Sequence, residues 1–409
     1  MRLPHVALAL VFAALGASSC IFLVDEAAEA GAGGTGGAST ATSVTSGGGG
    51  TTTSSTGGAG GAGGGLGGGG GAGPTIVPVG SDVLLDPGPI ERFARTPLSS
   101  GLPLLWAGGT APSGFEFILA DPERDGLPTT FPSVAGVGLA LVHQPGESAA
   151  VAAVLDTLFL ARKDESDVTL TLSACSSPDP PISDLASHAS GAVFARCGDS
   201  IVAAPVDTNF AWGGPQIVAT VGDPQRSRVR VSLGGSSTSY YVLWDDAVDS
   251  GGEGVRWCSF EGASINSPQC GAEKQRAFLP PALDDFGYSE QADTVFALAG
   301  LELHGSDPTG GMHLFEGNEV AALSVRGAQI AFSFVDPTTQ HAHLAVCDVD
   351  TQFASLAQQS ADPRTLCGTY DLGAVAPPTM LALTADRLHT VTHDPNPFDG
   401  STLRRYALE

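Results

Sequence analysis

The sequence predicts an all-β fold from Thr75 onward, on three observations. A hairpin ending in cysteine recurs. It runs from Tyr240 through Asp246 and a Gly-rich turn to Val255, Cys258 and Phe260, from Ile330 through Asp336 to Cys347, and from Thr157 through Asp164 to Cys175. Glycine and proline punctuate the chain at short intervals, with β-branched or aromatic runs between them. Finally, 42% of residues are hydrophobic and only 15% are charged, a balance that lets a core form and excludes disorder over the main domain.

Taken in order, the chain opens with Arg2, an apolar run from Val6 to Leu15, and the small residues Gly16, Ala17, Ser18 and Ser19 before Cys20. This segment resembles a bacterial lipoprotein signal peptide. The resemblance implies cleavage after residue 19 and acylation of Cys20, a membrane partner reached through that lipid, and a firm anchor, because two or more acyl chains hold where one does not. Ile21 follows the cysteine, and by the same resemblance this points to the outer membrane or cell surface. Ordinary secretory cleavage and retention of Leu3 to Val24 as a membrane anchor are the alternative readings.

Residues 20–74 read as the lipidated cysteine followed by a linker. Half of positions 31–73 are glycine, and the segment carries serine and threonine but no charge and no aromatic residue. Such a chain buries too little apolar surface to offset its ordering entropy. As a flexible coil it spans about 35–40 Å.

Residues 75–409 form the all-β domain. Leu104 to Ala107 and Phe115 to Leu119 flank a glycine-rich turn, and Val137 to Val142 and Ala149 to Leu155 flank Gln144, Pro145 and Gly146. Val229 to Leu233 precedes the Tyr240 strand, and Leu323 to Val325 precedes the Ile330 strand. Val295 to Leu303 and Met312 to Phe315 read as a hairpin about Gly305 to Gly311. Thr351 to Gln358 is the helix candidate.

Each cysteine-ending hairpin is followed by a second cysteine and a glycine, at Cys197, Cys270 and Cys367. Six cysteines at recurring positions in an exported chain read as disulfides, and the local pairing is Cys175–Cys197, Cys258–Cys270 and Cys347–Cys367. Each bridge contributes about 3 kcal/mol by the loop-entropy model. No Cys-x-x-Cys pair supports a zinc site. The unit reads strand, strand, strand, cysteine, excursion, cysteine, strand, and it resembles a four-stranded β-propeller blade. The cysteine copies recur at intervals of about 85 residues, room for two blades of roughly 40–50 residues each. The resemblance implies a propeller-like domain of about six to eight blades. One or two β-sandwiches are the alternative.

With 43 acidic and 18 basic residues the net charge is −25, which argues against nucleic acid as a partner; the charge serves solubility alone, or it suits cations or basic partners. Asp121, Glu123 and Asp125 before Gly126 have the alternate-carboxylate spacing of a calcium-binding loop, and equally that of an ordinary Asp-Gly turn. Ca²⁺ is thus the one cofactor the sequence suggests. Asp164, Glu165, Asp167, Asp245, Asp246, Asp249, Glu253 and Asp336 sit at turns that would share one propeller face and form an acidic rim, or would simply be solvated turns. His341 with His343 and His304 with His313 are spaced for a metal only if folding joins the pairs. Tyr240, Tyr241, Trp212, Trp244 and Trp257 read as a sugar-stacking platform or as core. The folded part holds no Gly-x-Ser-x-Gly elbow and no His-Glu-x-x-His zinc motif. The reading is a cell-envelope lipoprotein that presents a binding or scaffolding domain to a protein or glycan, and no catalytic residue is assigned. An extracellular polymer-acting hydrolase or lyase, with two carboxylates as acid and base, is the alternative.

Overall fold

A computed structural model describes residues 73–409, apart from segments 86–89, 94–103, 109–115, 121–128, 132–136, 145–146, 163–166, 176–180, 189–190, 235–238, 249–252, 262–269, 271, 279, 281 and 394–400. The described residues form antiparallel sheets with four strand positions each, strung along the chain. Two short strands come first, β1 (Ile76–Pro78) and β2 (Val83–Leu85). Sheet 1 holds β3 (Ile90–Phe93), β4 (Leu104–Gly108), β5 (Glu116–Ala120) and β6 (Thr129–Phe131). Sheet 2 holds β7 (Val137–Gln144), β8 (Glu147–Val154), β9 (Thr157–Arg162) and β10 (Val168–Thr171). Sheet 3 holds β11 (Ile182–His188), β12 (Ala192–Cys197), β13 (Ser200–Pro205) and β14 (Gln216–Thr220). Sheet 4 holds β15 (Val229–Leu233), β16 (Ser239–Ala247), β17 (Glu253–Glu261) and β18 (Lys274–Phe278). Sheet 5 holds β19 (Asp285–Ser289), β20 (Thr294–Ala299), β21 (Glu302–Asp307) and β22 (Gly310–Leu314). Sheet 6 holds β23 (Glu319–Arg326), β24 (Gln329–Val335), β25 (Ala342–Asp348) and β26 (Gly368–Gly373). Sheet 7 holds β27 (Met380–Leu383), β28 (Arg387–His393) and β29 (Ser401–Leu408), and its fourth position is filled by β1 and β2, which both pair with β29.

Strands here rarely show hydrophobic-in, polar-out alternation. Every residue of β12 and β13 is buried, as is every residue of β19. A sheet covered on both faces has no wet side, so its strands lose the period of two. Separate apolar clusters fill the gaps between sheets 2 and 3, 3 and 4, 4 and 5, 5 and 6, and 6 and 7.

The leading strands of successive sheets lie against one another, and small residues stand where they crowd. A Cβ on Gly138 in β7 would strike Leu185 in β11, and one on Gly287 in β19 would strike Val325 in β23. Three serines bridge these strands. Ser187 Oγ donates to Leu141 O at 2.7 Å, Ser232 Oγ accepts from Tyr288 N at 3.0 Å, and Ser324 Oγ accepts from Leu383 N at 3.2 Å. Each satisfies a backbone group that would otherwise be buried without a partner.

The three local disulfides form as the sequence predicts, with separations of 22, 12 and 20 residues. The repeat itself needs correcting. Cys258 and Cys347 lie in the third strands of sheets 4 and 6, and each bonds a cysteine just before the fourth strand. Cys175 instead follows the fourth strand of sheet 2 and bonds Cys197 in the second strand of sheet 3. The first bridge therefore joins two sheets, whereas the other two staple one sheet to its own excursion. Strand alternation is the same for any hairpin of a meander, so the residue pattern could not report which hairpin it was.

A second correction concerns Val295 to Leu303. A two-residue turn at Gly300 and Leu301 divides this run, with Ala299 opposite Glu302, and Gly300 supplies the positive φ of 62° that the turn requires. The helix forms over Phe353–Gln359 inside the Cys347–Cys367 excursion. It buries Phe353, Ala354 and Ala357, and the Phe353 ring stands 6.0 Å from Phe296 and 6.1 Å from Phe315 of sheet 5.

The first strands are held along the last one. Ile76 pairs with Leu408 and Val83 with Leu403. Thr75 and Glu409 exchange two backbone hydrogen bonds of 2.8 and 3.0 Å, and Arg404 Nε donates to Asp82 at 2.9 Å. Just before this, the Pro74 carbonyl lies where a Cβ on Gly368 would be, so the glycine after Cys367 is required by the close approach of another backbone.

Candidate functional site

The beginnings of the leading strands of sheets 3 to 7 gather the most unusual chemistry among the described residues. Arg230, the second residue of β15, is 6% exposed. Its Nε donates to Asp285 Oδ1 at 2.7 Å, its Nη1 donates to Asp184 Oδ2 at 2.6 Å and to Val229 O at 2.7 Å, and its guanidinium lies 5.6 Å from the Phe286 ring centroid. One cation from sheet 4 thus ties a carboxylate on β11 to one on β19. Both carboxylates are clamped by the same guanidinium, which offsets one of their two negative charges.

Behind the clamp lies Arg196, fully buried on β12. Its Nη2 donates to the carbonyls of Asp223 and Arg226, both at 3.0 Å. Burial pushes its pKa down, and Asp245, Asp246, Asp223 and Asp184 pull it back up. Asp245 accepts from Arg228 N at 2.9 Å, and burial raises its pKa against that bond and against the nearby arginines. Asp246 accepts from Gly222 N at 2.9 Å, Asp223 N at 2.7 Å and Ala247 N at 2.8 Å. The connector from sheet 3 to sheet 4 is therefore seated on two aspartates from the end of β16.

Beside the clamp, a cleft of about 100 Å³ opens between Asp284, Asp285 and Leu298 of sheet 5, Ala321 to Leu323 of sheet 6, and Thr379 to Leu381 of sheet 7. Its lining mixes polar and apolar surface. One wall carries Asp285, held by Arg230, and Asp284, whose carboxylate is half exposed and lies 3.9 Å from Arg228. The cleft is small beside the usual ligand pocket, and it suits a single inserted side chain or a small polar group.

The structure revises several sequence expectations. Three of the expected rim residues are not on the surface: Asp245, Asp246 and Asp336 are 6%, 1% and 3% exposed. Asp336 folds over its own turn, accepting from Thr338 N at 2.8 Å, and pairs with Arg364 at 3.1 Å; the Thr338 bond is the chief reason its pKa is lowered. A turn aspartate is short enough to bond its own backbone, which is why acidic residues recur there. Asp167 is exposed, while Asp164, Glu165 and Asp249 lie outside the described residues.

The aromatic platform is also overturned. Tyr240, Trp244 and Trp257 are fully buried and Tyr241 is 7% exposed, because both faces of sheet 4 are covered. Trp212 is half-buried and donates to Val168 O at 3.0 Å. Cys20, and the calcium candidates Asp121, Glu123 and Asp125, fall outside the described residues.

Folding does not bring the two histidine pairs together into one site. His341 Nδ1 meets Asp371 at 3.2 Å and His343 stacks on Phe334 in sheet 6, whereas His304 and His313 stack on each other in sheet 5. Among the described residues, no three of His, Cys, Asp and Glu stand as a ready-made metal site.

Sequence reasoning missed Arg230, Arg196, Asp184 and Asp285. The available signal was a charged residue inside an apolar strand, as in Val229-Arg230-Val231 and Phe194-Ala195-Arg196-Cys197. Such a residue is buried only when paired.

Three formed disulfides mark an extracellular or envelope-exposed protein. No helix among the described residues is long and apolar enough to cross a membrane. The chain matches no family model and no curated protein.

Proposed function

We propose that the protein is an exported, lipid-anchored binding or scaffolding module of the cell envelope. In this reading the sheets are the blades of a closed seven-bladed propeller, and the cleft beside Arg230 is where a partner docks. The observation that carries it is the last sheet, completed by the chain's first strands. A ring of blades needs such a join, and a sandwich does not. Cys20 is the lipidation site, and residues 21–74 are the tether that holds the domain away from the bilayer surface. The partner is a protein or a glycan presented at the envelope.

Two measurements test this. Metabolic labelling with palmitate is expected to mark the wild-type chain and not Cys20→Ser; equal labelling of both removes the anchor from the reading. Affinity capture from envelope extract is run with the full chain and with Thr379→Trp, an exposed position in the lining whose larger side chain obstructs the cleft. A partner retained by wild type and lost with the variant supports the docking site. A partner held equally by both places recognition elsewhere on the domain.

A further inference from the structure

On the outer hairpin of sheet 5, His304 in β21 and His313 in β22 are direct cross-strand partners. Their rings stack with centroids 5.1 Å apart and planes 24° apart. The Nε2 atoms of both are buried and make no hydrogen bond. Glu302 lies two residues before His304, so it shares the same face of the strand. Its Oε2 stands 3.4 Å from His304 Nε2, and its side chain is 60% exposed. On the neighbouring strand β20, the residues opposite His304 and Glu302 are Ala297 and Ala299.

A buried His313 Nε2 without a partner, beside a His304 Nε2 that faces Glu302 Oε2 at 3.4 Å, costs free energy that a stable fold usually avoids. Burial holds His304 below the ordinary histidine pKa, with His313 pushing it the same way and Glu302 opposing. Imidazole ligates a metal through an unprotonated ring nitrogen. Imidazole with one carboxylate suits Zn²⁺, Cu²⁺ and Ni²⁺ rather than the hard cations Ca²⁺ and Mg²⁺.

We propose that His304 and His313 form a two-imidazole clip for a first-row transition-metal ion, with Glu302 swinging in from solvent as the third ligand. No pre-formed three-ligand cage is needed, since the histidines are fixed by the hairpin and the glutamate moves. The remaining coordination positions stay with water, so the ion exchanges. The clip is separate from the cleft and from Arg230, and it holds whether or not the cleft binds a partner.

The test is calorimetric titration of the full-length chain with NiCl2 and with CuCl2. One saturable site is expected, tighter for Cu²⁺ than for Ni²⁺. His304→Asn and His313→Asn are each expected to weaken it at least tenfold, and Glu302→Gln several-fold. His341→Asn, in the other histidine pair, is expected to leave it unchanged. A companion measurement needs no variant: sub-stoichiometric Cu²⁺ should broaden the imidazole proton resonances of His304 and His313 before those of any other histidine. Absence of a saturable site, broadening centred on other histidines, or binding that survives both His304→Asn and His313→Asn would overturn the clip.

Discussion

Sheet 5 meets its two neighbours in different ways. Toward sheet 4, and through it sheet 3, the junction adds buried charge to its apolar clusters. Arg230 spans from Asp184 to Asp285, and Arg196 and Asp246 hold the connector behind them. Toward sheet 6 the junction is phenylalanine: Phe296, Phe315, Phe332, Phe334 and Phe353 pack together, reinforced by the helix and by Asn318 Nδ2 donating to the carbonyls of Phe315 and Ala361. The apolar side tolerates change in proportion to the volume removed. The charged side does not, because removing one partner leaves another buried and uncompensated. The same architecture thus contains a graded joint and an all-or-none joint.

The largest expected effect breaks the charged joint. Arg230→Ala should cost about 3–5 kcal/mol, since Asp285 loses its counter-ion. Phe332→Ala should cost about as much. Denaturant unfolding measures both, and second substitutions separate them: Arg230→Met with Asp285→Leu should regain part of the loss, whereas Phe332→Leu should already restore most of it. If Arg230→Ala is as stable as wild type, the clamp contributes nothing to the joint.

Next comes the staple on the apolar side. Replacing Cys347 and Cys367 together by serine should lower stability by about 3 kcal/mol and loosen the helix that covers sheet 5. Faster amide hydrogen exchange confined to residues 349–366 would show that loosening. The Cys175–Cys197 replacement should instead loosen sheets 2 and 3 against each other.

Acid should act through buried histidines. Burial pushes His389 of β28 down to about 3 and His188 of β11 down to about 4. As pH falls below 6.5 the unfolded chain takes up protons that the folded chain refuses, so stability present at neutral pH is lost on the way toward pH 4. The slope is about 1.4 kcal/mol per pH unit for a histidine buried as fully as His389. Thermal unfolding from pH 7 to 5 should show a steeper loss for wild type than for His389→Gln. Equal slopes would show that His389 is not kept neutral.

The smallest effect sharpens the join rather than the joints. Gly368→Ala should collide with the Pro74 carbonyl and cost about 1–3 kcal/mol. Its signature is faster exchange of the Ile76 and Leu408 amides with sheet 5 untouched.

Much of this was legible in the residues. The cysteine-ending hairpins, the three local bridges and the helix near Phe353 are all encoded within short stretches, where spacing reports structure directly. The phase of the first hairpin was not legible, because Thr157 to Cys175 has the same alternation as its counterparts while lying one strand later in its sheet. The candidate site was hidden for a different reason. Arg230 finds Asp184 and Asp285 at separations of 46 and 55 residues. No local pattern carries such a pairing, and only the packing of leading strands creates it. The acidic turns misled because aspartate near a turn serves backbone and solvent equally well in sequence, and burial alone tells them apart.

The sharing of sheet 7 between the two ends of the chain has a consequence for biosynthesis. A chain leaves the ribosome amino end first, so β1 and β2 emerge while β29 is still hundreds of residues away. They have nothing to pair with until the final strand arrives. The disulfides span only 12 to 22 residues, so each can close soon after its own segment emerges. Maturation then proceeds from locally locked hairpins to a single late fastening, and contacts of such long sequence separation form slowly. Until that moment the edge of β29 is open. A nascent chain stalled between Cys367 and Ser401 keeps every staple yet lacks the fastening, and it is the form a quality-control protease would meet.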